Sequence, residues 1–304
     1  MYLKECDVYR TEHVPGKVAR VYASDKSRTV RYEFNSKGYR GEEYDPTAKF
    51  RICVIGESHA FGVGLPLEET FGYKLKQHIA ASLMLGLDEI NLINLSVSGA
   101  SADYCVRTIY RQLSDCHVDF LVCHLPDLTR TEYIADKGYF MFNVRGALKD
   151  LKKAPTPLLG YCDYYNHNVG KLNQLKNALL AQAFLKERKI DYILATQDLP
   201  SSRKNFVYLE DYFDRLDASA VLWHKYFRTK ADLAADQVHA GRRCHAAFAI
   251  EVLGLFGHMQ LERGHEHRGR RIENYGSRLR ATDEDWNYFK SLGIDILTCI
   301  PRIE

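Results

Sequence analysis

Short, strongly apolar runs alternate with stretches of helical period through the first two thirds of this chain. Residues 51–55 (RICVI) contain Ile52, Val54 and Ile55, a β-branched run suited to a strand buried on both faces. Residues 68–85 follow with helical spacing, placing Phe71, Leu75, His78 and Ile79 on one face. Residues 89–97 (EINLINLSV) predict a second strand, 102–113 a helix, and 118–125 (VDFLVCHL) a third buried strand. The rhythm breaks between 126 and 157, an excursion expected at the carboxyl edge of the sheet. It resumes with an amphipathic helix over 171–188 and a fourth strand at 190–196 (IDYILAT). A short helix is predicted near 209–216 and a longer one from 241 to about 256.

Strands and helices in strict alternation imply a parallel sheet wound with helices on both faces. The expected fold is therefore α/β, a three-layer α/β/α sandwich around a parallel sheet of about five strands, flavodoxin-like in its winding. Residues 1–48 read as a polar lead-in, 49–256 as the core domain and 257–304 as a charged extension. Within the lead-in, 30–34 alternates enough for an edge strand or hairpin arm. The segment NSKGYRGEEY (35–44) either packs over the core or forms a wall of the crevice. The extension turns apolar over 286–300 and is available for homo-oligomerisation or as a lid.

Of the 304 residues, 46% are hydrophobic and 27% charged, so the chain can bury a full core and is not a disordered protein. A formal net charge of +3 is too near balance to suggest nucleic acid as the main partner. The eight cysteines form no CxxC pair, and Cys53 and Cys123 fall in apolar runs. This usage suggests reduced core thiols and a reducing compartment. The N-terminus carries no signal-peptide pattern, no run approaches membrane-span length, and the expected location is the cytoplasm.

The chemistry begins at the end of the first core strand. Gly56 permits a tight turn that leaves Ser58 at the strand's carboxyl end, where open α/β sheets place their ligand crevice. Just before the last long helix stands Asp236-Gln-Val-His239, a spacing that lets a carboxylate reach the imidazole Nδ1. The ring's Nε2 is then free to face a nucleophile from another strand, which a serine hydroxyl needs at neutral pH. Either motif alone is weak, and a core histidine is the plain alternative for His239. Together, in a wound sheet, they define a candidate triad.

These blocks resemble the SGNH, or GDSL, hydrolase superfamily of esterases, lipases and O-acyltransferases. Gly56-Glu57-Ser58 is similar to its first block, and Phe61-Gly62-Val63-Gly64 and Glu69-Thr70-Phe71 also resemble one branch. Asn94 and Gly99 match the second block; Asp236, His239, Gly241 and His245 match the last. The lead-in FNSKGYRGEEY resembles sequences found ahead of such domains, and the likeness spans roughly residues 30–255. It implies that Ser58 attacks an ester carbonyl, His239 takes its proton, Asp236 holds the imidazole, and the amides of Ser58 and Gly99 hold the oxyanion. It also implies a carboxylic, acetyl or glycan ester as substrate, with no metal, cofactor or membrane. An O-acyltransferase using the same residues is the alternative, and a catalytically retired binding protein is the second.

The chain departs from the pattern twice. Glu57 replaces the usual aspartate, from which an adjusted turn is expected. Where the third block supplies an asparagine as a further oxyanion donor, the chain reads Leu125-Pro126-Asp127, and proline has no donor. Loss of such a donor typically costs about 10²–10³ in turnover. His124, Thr129 or Arg130 is then expected to substitute, or the site is slow or retired. His59, Asn94 and Arg130 are candidate substrate-binding residues. Arg130 and Glu132 could equally form an ion pair, and His59 a supporting side chain. His245 reads as a helix-cap or packing residue. The pair His265 and His267 lacks the further ligands of a zinc site. The patch Arg263, Arg268, Arg270 and Arg271 reads as a solvated surface. A dinucleotide-binding G-x-G-x-x-G spacing is absent.

Overall fold

The computed structural model describes residues 18–22, 29–135, 138–144, 156–229 and 231–262. It opens with an antiparallel hairpin, β1 (Val18–Tyr22) and β2 (Thr29–Glu33). Strand β3 (Phe50–Gly56) leads through the short helix α1 (Ser58–Phe61) to α2 (Phe71–Leu83), β4 (Ile90–Asn94), α3 (Ala102–Leu113) and β5 (Phe120–His124). A separate hairpin follows, β6 (Arg130–Ala135) with β7 (Gly138–Asn143). Helices α4 (Thr156–Tyr164) and α5 (His167–Glu187) return the chain to β8 (Asp191–Thr196). Helix α6 (Glu210–Phe213), β9 (Val221–Trp223), α7 (Tyr226–Thr229) and α8 (Arg242–Glu262) complete it.

The central sheet is five-stranded and wholly parallel, in the order β4-β3-β5-β8-β9. This is the α/β architecture that the sequence pattern predicts. Every residue of β3, β4 and β5 is buried. Ile52, Val54 and Ile55 have no exposed surface, and burial of each contributes roughly 1.5–3 kcal/mol. Helices α2 and α8 pack together on one face, and α3 and α5 on the other. Because the chain leaves β3 for β4 on one side and later returns to β5 on the other, the strand order reverses at β3. Open α/β sheets place their ligand crevice at such a switch point, here the carboxyl ends of β3 and β5. Thr70, Ser101 and Asn166 cap α2, α3 and α5 with their side-chain oxygens, as such residues favour.

Several boundaries differ from expectation, each for a local reason. Helix α5 begins at His167 and not near 171, because Asn166 accepts from the amides of Asn168 and Val169. Helix α8 runs to Glu262, past the expected domain boundary at 256. The fifth strand, β9, is a three-residue edge too short to show in the pattern. The excursion between 126 and 157 contains the β6–β7 hairpin. His78, expected on the inner face of α2, is half-buried, whereas Lys76 is buried and pairs with Glu42 at 2.6 Å. Residues 263–304 lie outside the described residues, and with them His265, His267, the arginine patch and the apolar stretch 286–300.

Residues 34–44 are threaded into the core. Tyr39 is buried and its hydroxyl accepts from Gln112 Nε2 at 2.9 Å. Arg40, 1% exposed, donates to the carbonyls of Phe61 (2.8 Å), Gly62 (2.7 Å) and Leu65 (2.6 Å), and its guanidinium lies 4.2 Å from the centre of the Tyr32 ring. Burial pushes its pKa down to about 10, which leaves it charged at neutral pH. Arg40 therefore shapes the loop that follows Ser58. Arg40→Met leaves three carbonyls without their donor and should lower stability by roughly 2–4 kcal/mol. Urea unfolding of the two proteins measures it, and an unchanged midpoint would contradict the role.

Candidate active site

The site starts with a turn that only glycine fits. Gly56 pairs in register with His124 on β5, and a Cβ at Gly56 would lie 2.7 Å from the His124 carbonyl oxygen and 2.7 Å from Ala60 Cβ. Freed of a side chain, the chain passes from strand to helix within two residues. Glu57 is the N-cap of α1, its Oε1 accepting from the His59 amide at 3.2 Å. Ser58 is the first residue of that helix, 3% exposed, and its hydroxyl donates to Glu57 Oε2. The loop after α1 is held by Arg40 and by the Gly64 amide, which donates to the Tyr32 hydroxyl at 2.7 Å.

The second half of the site lies on the loop before α8. Asp232 accepts from the amides of Arg243 (2.8 Å) and Cys244 (3.2 Å), so its carboxylate caps that helix. Leu233 and Ala240 bridge the loop, and Gln237 turns it with a φ of 56°. Within the turn, Asp236 Oδ1 accepts from the amides of Val238 (3.1 Å) and His239 (3.0 Å), while Oδ2 accepts from His239 Nδ1 at 2.5 Å. One carboxylate thus fixes both the backbone and the ring of the histidine. His239 keeps its Nε2 for other work.

Gly64 joins the two halves. Its carbonyl accepts from the Ala235 amide at 3.0 Å, and with a φ of 78° it has no room for a Cβ, which would lie 2.8 Å from Ala234 Cβ and 3.1 Å from Asp236 Oδ1. His59, the neighbour of Ser58, fills the space between: its ring stacks on Phe227 at 4.5 Å and meets His239 edge-on at 5.4 Å. Burial pushes the His59 pKa down to about 4; Glu57 opposes that shift, and His124, His239 and Arg130 add to it. His59 is therefore neutral at neutral pH.

The other expected residues occupy varied positions. Gly99 follows β4 with a φ of 83°, and neither its amide nor that of Ser58 makes a hydrogen bond among the described residues. Asn94, expected to face substrate, is buried; its Nδ2 donates to the Ala60 carbonyl (3.2 Å) and its Oδ1 accepts from the Ser96 amide (3.0 Å). It braces α1 against β4. Of the three candidates for the missing oxyanion donor, Thr129 is engaged with Asp127 and Asn143. His124 is buried behind Glu57. Among the described residues Arg130 makes no side-chain hydrogen bond or ion pair, its Nε is buried without a partner there, and its charge acts on both Glu57 and His59. Glu132 is paired with Arg107 at 2.6 Å, and not with Arg130. His245 is buried, and its Nδ1 accepts from the Phe71 amide at 3.1 Å, which caps α2 across the fold.

No family model matches the chain, and no curated protein matches it. Solved structures do. Those similar to it include the psychrotrophic esterase EstA from Pseudoalteromonas sp., at 14% identity and a TM-score of 0.41, over 70% of this chain and 98% of that one. Another is LAE5, an alpha/beta hydrolase enzyme from the metagenome of Lake Arreo, Spain, at 16% identity and a TM-score of 0.42, over 69% and 96%. A member of the lipolytic protein G-D-S-L family from Veillonella parvula is similar at 16% identity and a TM-score of 0.36, over 70% and 97%. The superpositions are loose, so the chemistry of the site rests on its own side chains.

Sequence reasoning missed His224 and Phe227. Both follow β9, and with that strand unrecognised nothing marked His224 as a residue at a carboxyl strand end. Among the described residues no helix is long and apolar enough to cross a membrane.

Burial raises the pKa of Asp236, but its bonds to the His239 ring and to the His239 and Val238 amides outweigh burial and set it below the ordinary aspartate value. A carboxyl whose folded pKa is depressed adds stability above its unfolded pKa and loses it as pH falls through the folded one. Wild type should therefore lose stability more steeply than Asp236→Asn between about pH 5 and pH 3, around the ordinary aspartate value. Urea midpoints across that range measure the difference, and parallel curves would contradict the assignment.

Proposed function

We propose that the protein is a serine ester hydrolase of the SGNH type. The observation that carries this reading is the Asp236–His239 pair, bonded at 2.5 Å on a loop docked onto the loop that follows Ser58. Ser58 attacks an ester carbonyl, His239 takes its proton as general base, and the same imidazole returns it to the leaving alcohol. Asp236 holds the ring and stabilises its protonated form. The unengaged amides of Ser58 and Gly99 are the donors available to the oxyanion, and Arg130 supplies a cation where the third-block asparagine is missing. For attack, the Ser58 hydroxyl must turn from Glu57 toward His239. Water as acceptor gives hydrolysis; a sugar or metabolite hydroxyl in its place gives acyl transfer on the same residues. The buried free thiols of the described cysteines suit a reducing compartment such as the cytoplasm.

A second reading, a binding protein on the same scaffold without turnover, draws on one observation: the Ser58 hydroxyl donates to Glu57 and not to His239. Turnover of p-nitrophenyl acetate separates the two. The hydrolase reading expects turnover by wild type and a drop of about 10³-fold or more in Ser58→Ala and in His239→Ala. A folded wild type without turnover, or variants as active as wild type, would overturn it. Added hydroxyl acceptors that divert the acyl group from water would identify a transferase.

A further inference from the structure

Two buried histidines stand behind the nucleophile, outside the proposed triad. His124 ends β5 and His224 follows β9; they are 1% and 6% exposed. Their Nε2 atoms lie 3.1 Å apart. His124 Nδ1 lies 3.3 Å from Glu57 Oε1, within reach but off the best hydrogen-bonding line. The other oxygen of Glu57 accepts the Ser58 hydroxyl. Ser58, Glu57, His124 and His224 therefore stand in one row, with the His124–Glu57 contact at 3.3 Å its loosest link.

Proton bookkeeping gives this row a direction. A carboxylate only accepts, so the imidazole atom facing it carries the proton, and His124 is protonated at Nδ1. In its singly protonated tautomer that ring accepts at Nε2, and His224 then donates from its own Nε2. The His224 Nδ1 is left as a bare lone pair, and that atom is buried without a partner. The surroundings are apolar: Phe227 lies 5.2 Å and Phe248 5.8 Å from the His124 ring, and Phe248 4.6 Å from that of His224. Two aromatic hydrocarbon rings would fill such a space without burying polar atoms, so packing alone does not account for two imidazoles.

Glu57 supplies the reason. It is one methylene longer than the aspartate of the resembling family, and so has an extra rotatable bond to restrain. With only Ser58 and the His59 amide as partners, its carboxylate would hold the serine proton tightly and keep the hydroxyl turned from His239. Resting on the proposed hydrolase reading, we infer that His124, backed by His224, is a positioning residue that draws on the Glu57 carboxylate and so frees the Ser58 hydroxyl to turn to His239. Burial would raise the pKa of Glu57, but His59, His124 and Arg130 outweigh it and hold the carboxyl well below its ordinary range. Burial sets the His224 pKa well below its ordinary value.

His124→Phe keeps the ring volume and removes the donor, whereas His124→Asn keeps an amide near the place of Nδ1. The rate at which a fluorophosphonate modifies Ser58 should fall about tenfold or more in the Phe variant, the scale of a lost bond to a charged group. The Asn variant should recover most of it, and KM for p-nitrophenyl acetate should stay unchanged while kcat falls. A folded Phe variant that reacts at the wild-type rate would overturn the inference. A wild type that neither reacts nor turns over would instead overturn the hydrolase reading. Independently of activity, ¹⁵N-histidine spectra of wild type should show His124 protonated at Nδ1 and His224 at Nε2. A bare His124 Nδ1 would overturn the inference even if the variants fail to fold.

Discussion

The absence of a side chain at Gly56 is the constraint on which the site depends. Strand β3 is buried on both faces, and at its end the chain has less than a methyl group's room between the His124 carbonyl and Ala60. Glycine lets the strand stop there and lets α1 begin at once, with Glu57 as its cap and Ser58 as its first residue. The serine is thereby fixed by a fully buried strand of the sheet. Distant parts of the chain reach it through contacts to this turn or to the loop that follows: Arg40 and Tyr32 from the lead-in, Ala235 from the far end of the domain, His124 from the neighbouring strand. Functional sites of this kind gain precision from being built on rigid elements.

The charges around Ser58 follow from burial. His59, His224 and His245 are pushed toward their neutral forms by desolvation; His224 and His245 make directional hydrogen bonds, and His59 packs by its ring. The charged side chains acting there include Glu57, Asp236 and Arg130. Two carboxylates thus flank the serine and the base, each held ionised by its surroundings, with the buried Arg130 Nε unpaired among the described residues. That balance suits a reaction in which negative charge grows on a carbonyl oxygen while positive charge grows on His239.

The central strands were legible in the sequence because burial on both faces demands unbroken apolar runs. Asp236 and His239 were legible because three positions on one turn bring a carboxylate to a ring. The edge strand β9 was not, since three residues give no period, and His224 was lost with it. The role of Arg40 was hidden for a different reason: a lone arginine in a polar segment reads as solvated until three carbonyls of the 61–65 loop are seen to converge on it. The Ser58–Glu57 bond belongs to side-chain rotation, which sequence does not encode in any pattern. Asn94 was legible as a position but not as a brace, because its partner Ala60 lies on another element.

The most direct test of the account is to treat the folded protein with a fluorophosphonate and locate the adduct by peptide mass mapping. The account predicts a single phosphonyl group, on Ser58. An adduct on any other residue, or none, would contradict Ser58 as the nucleophile.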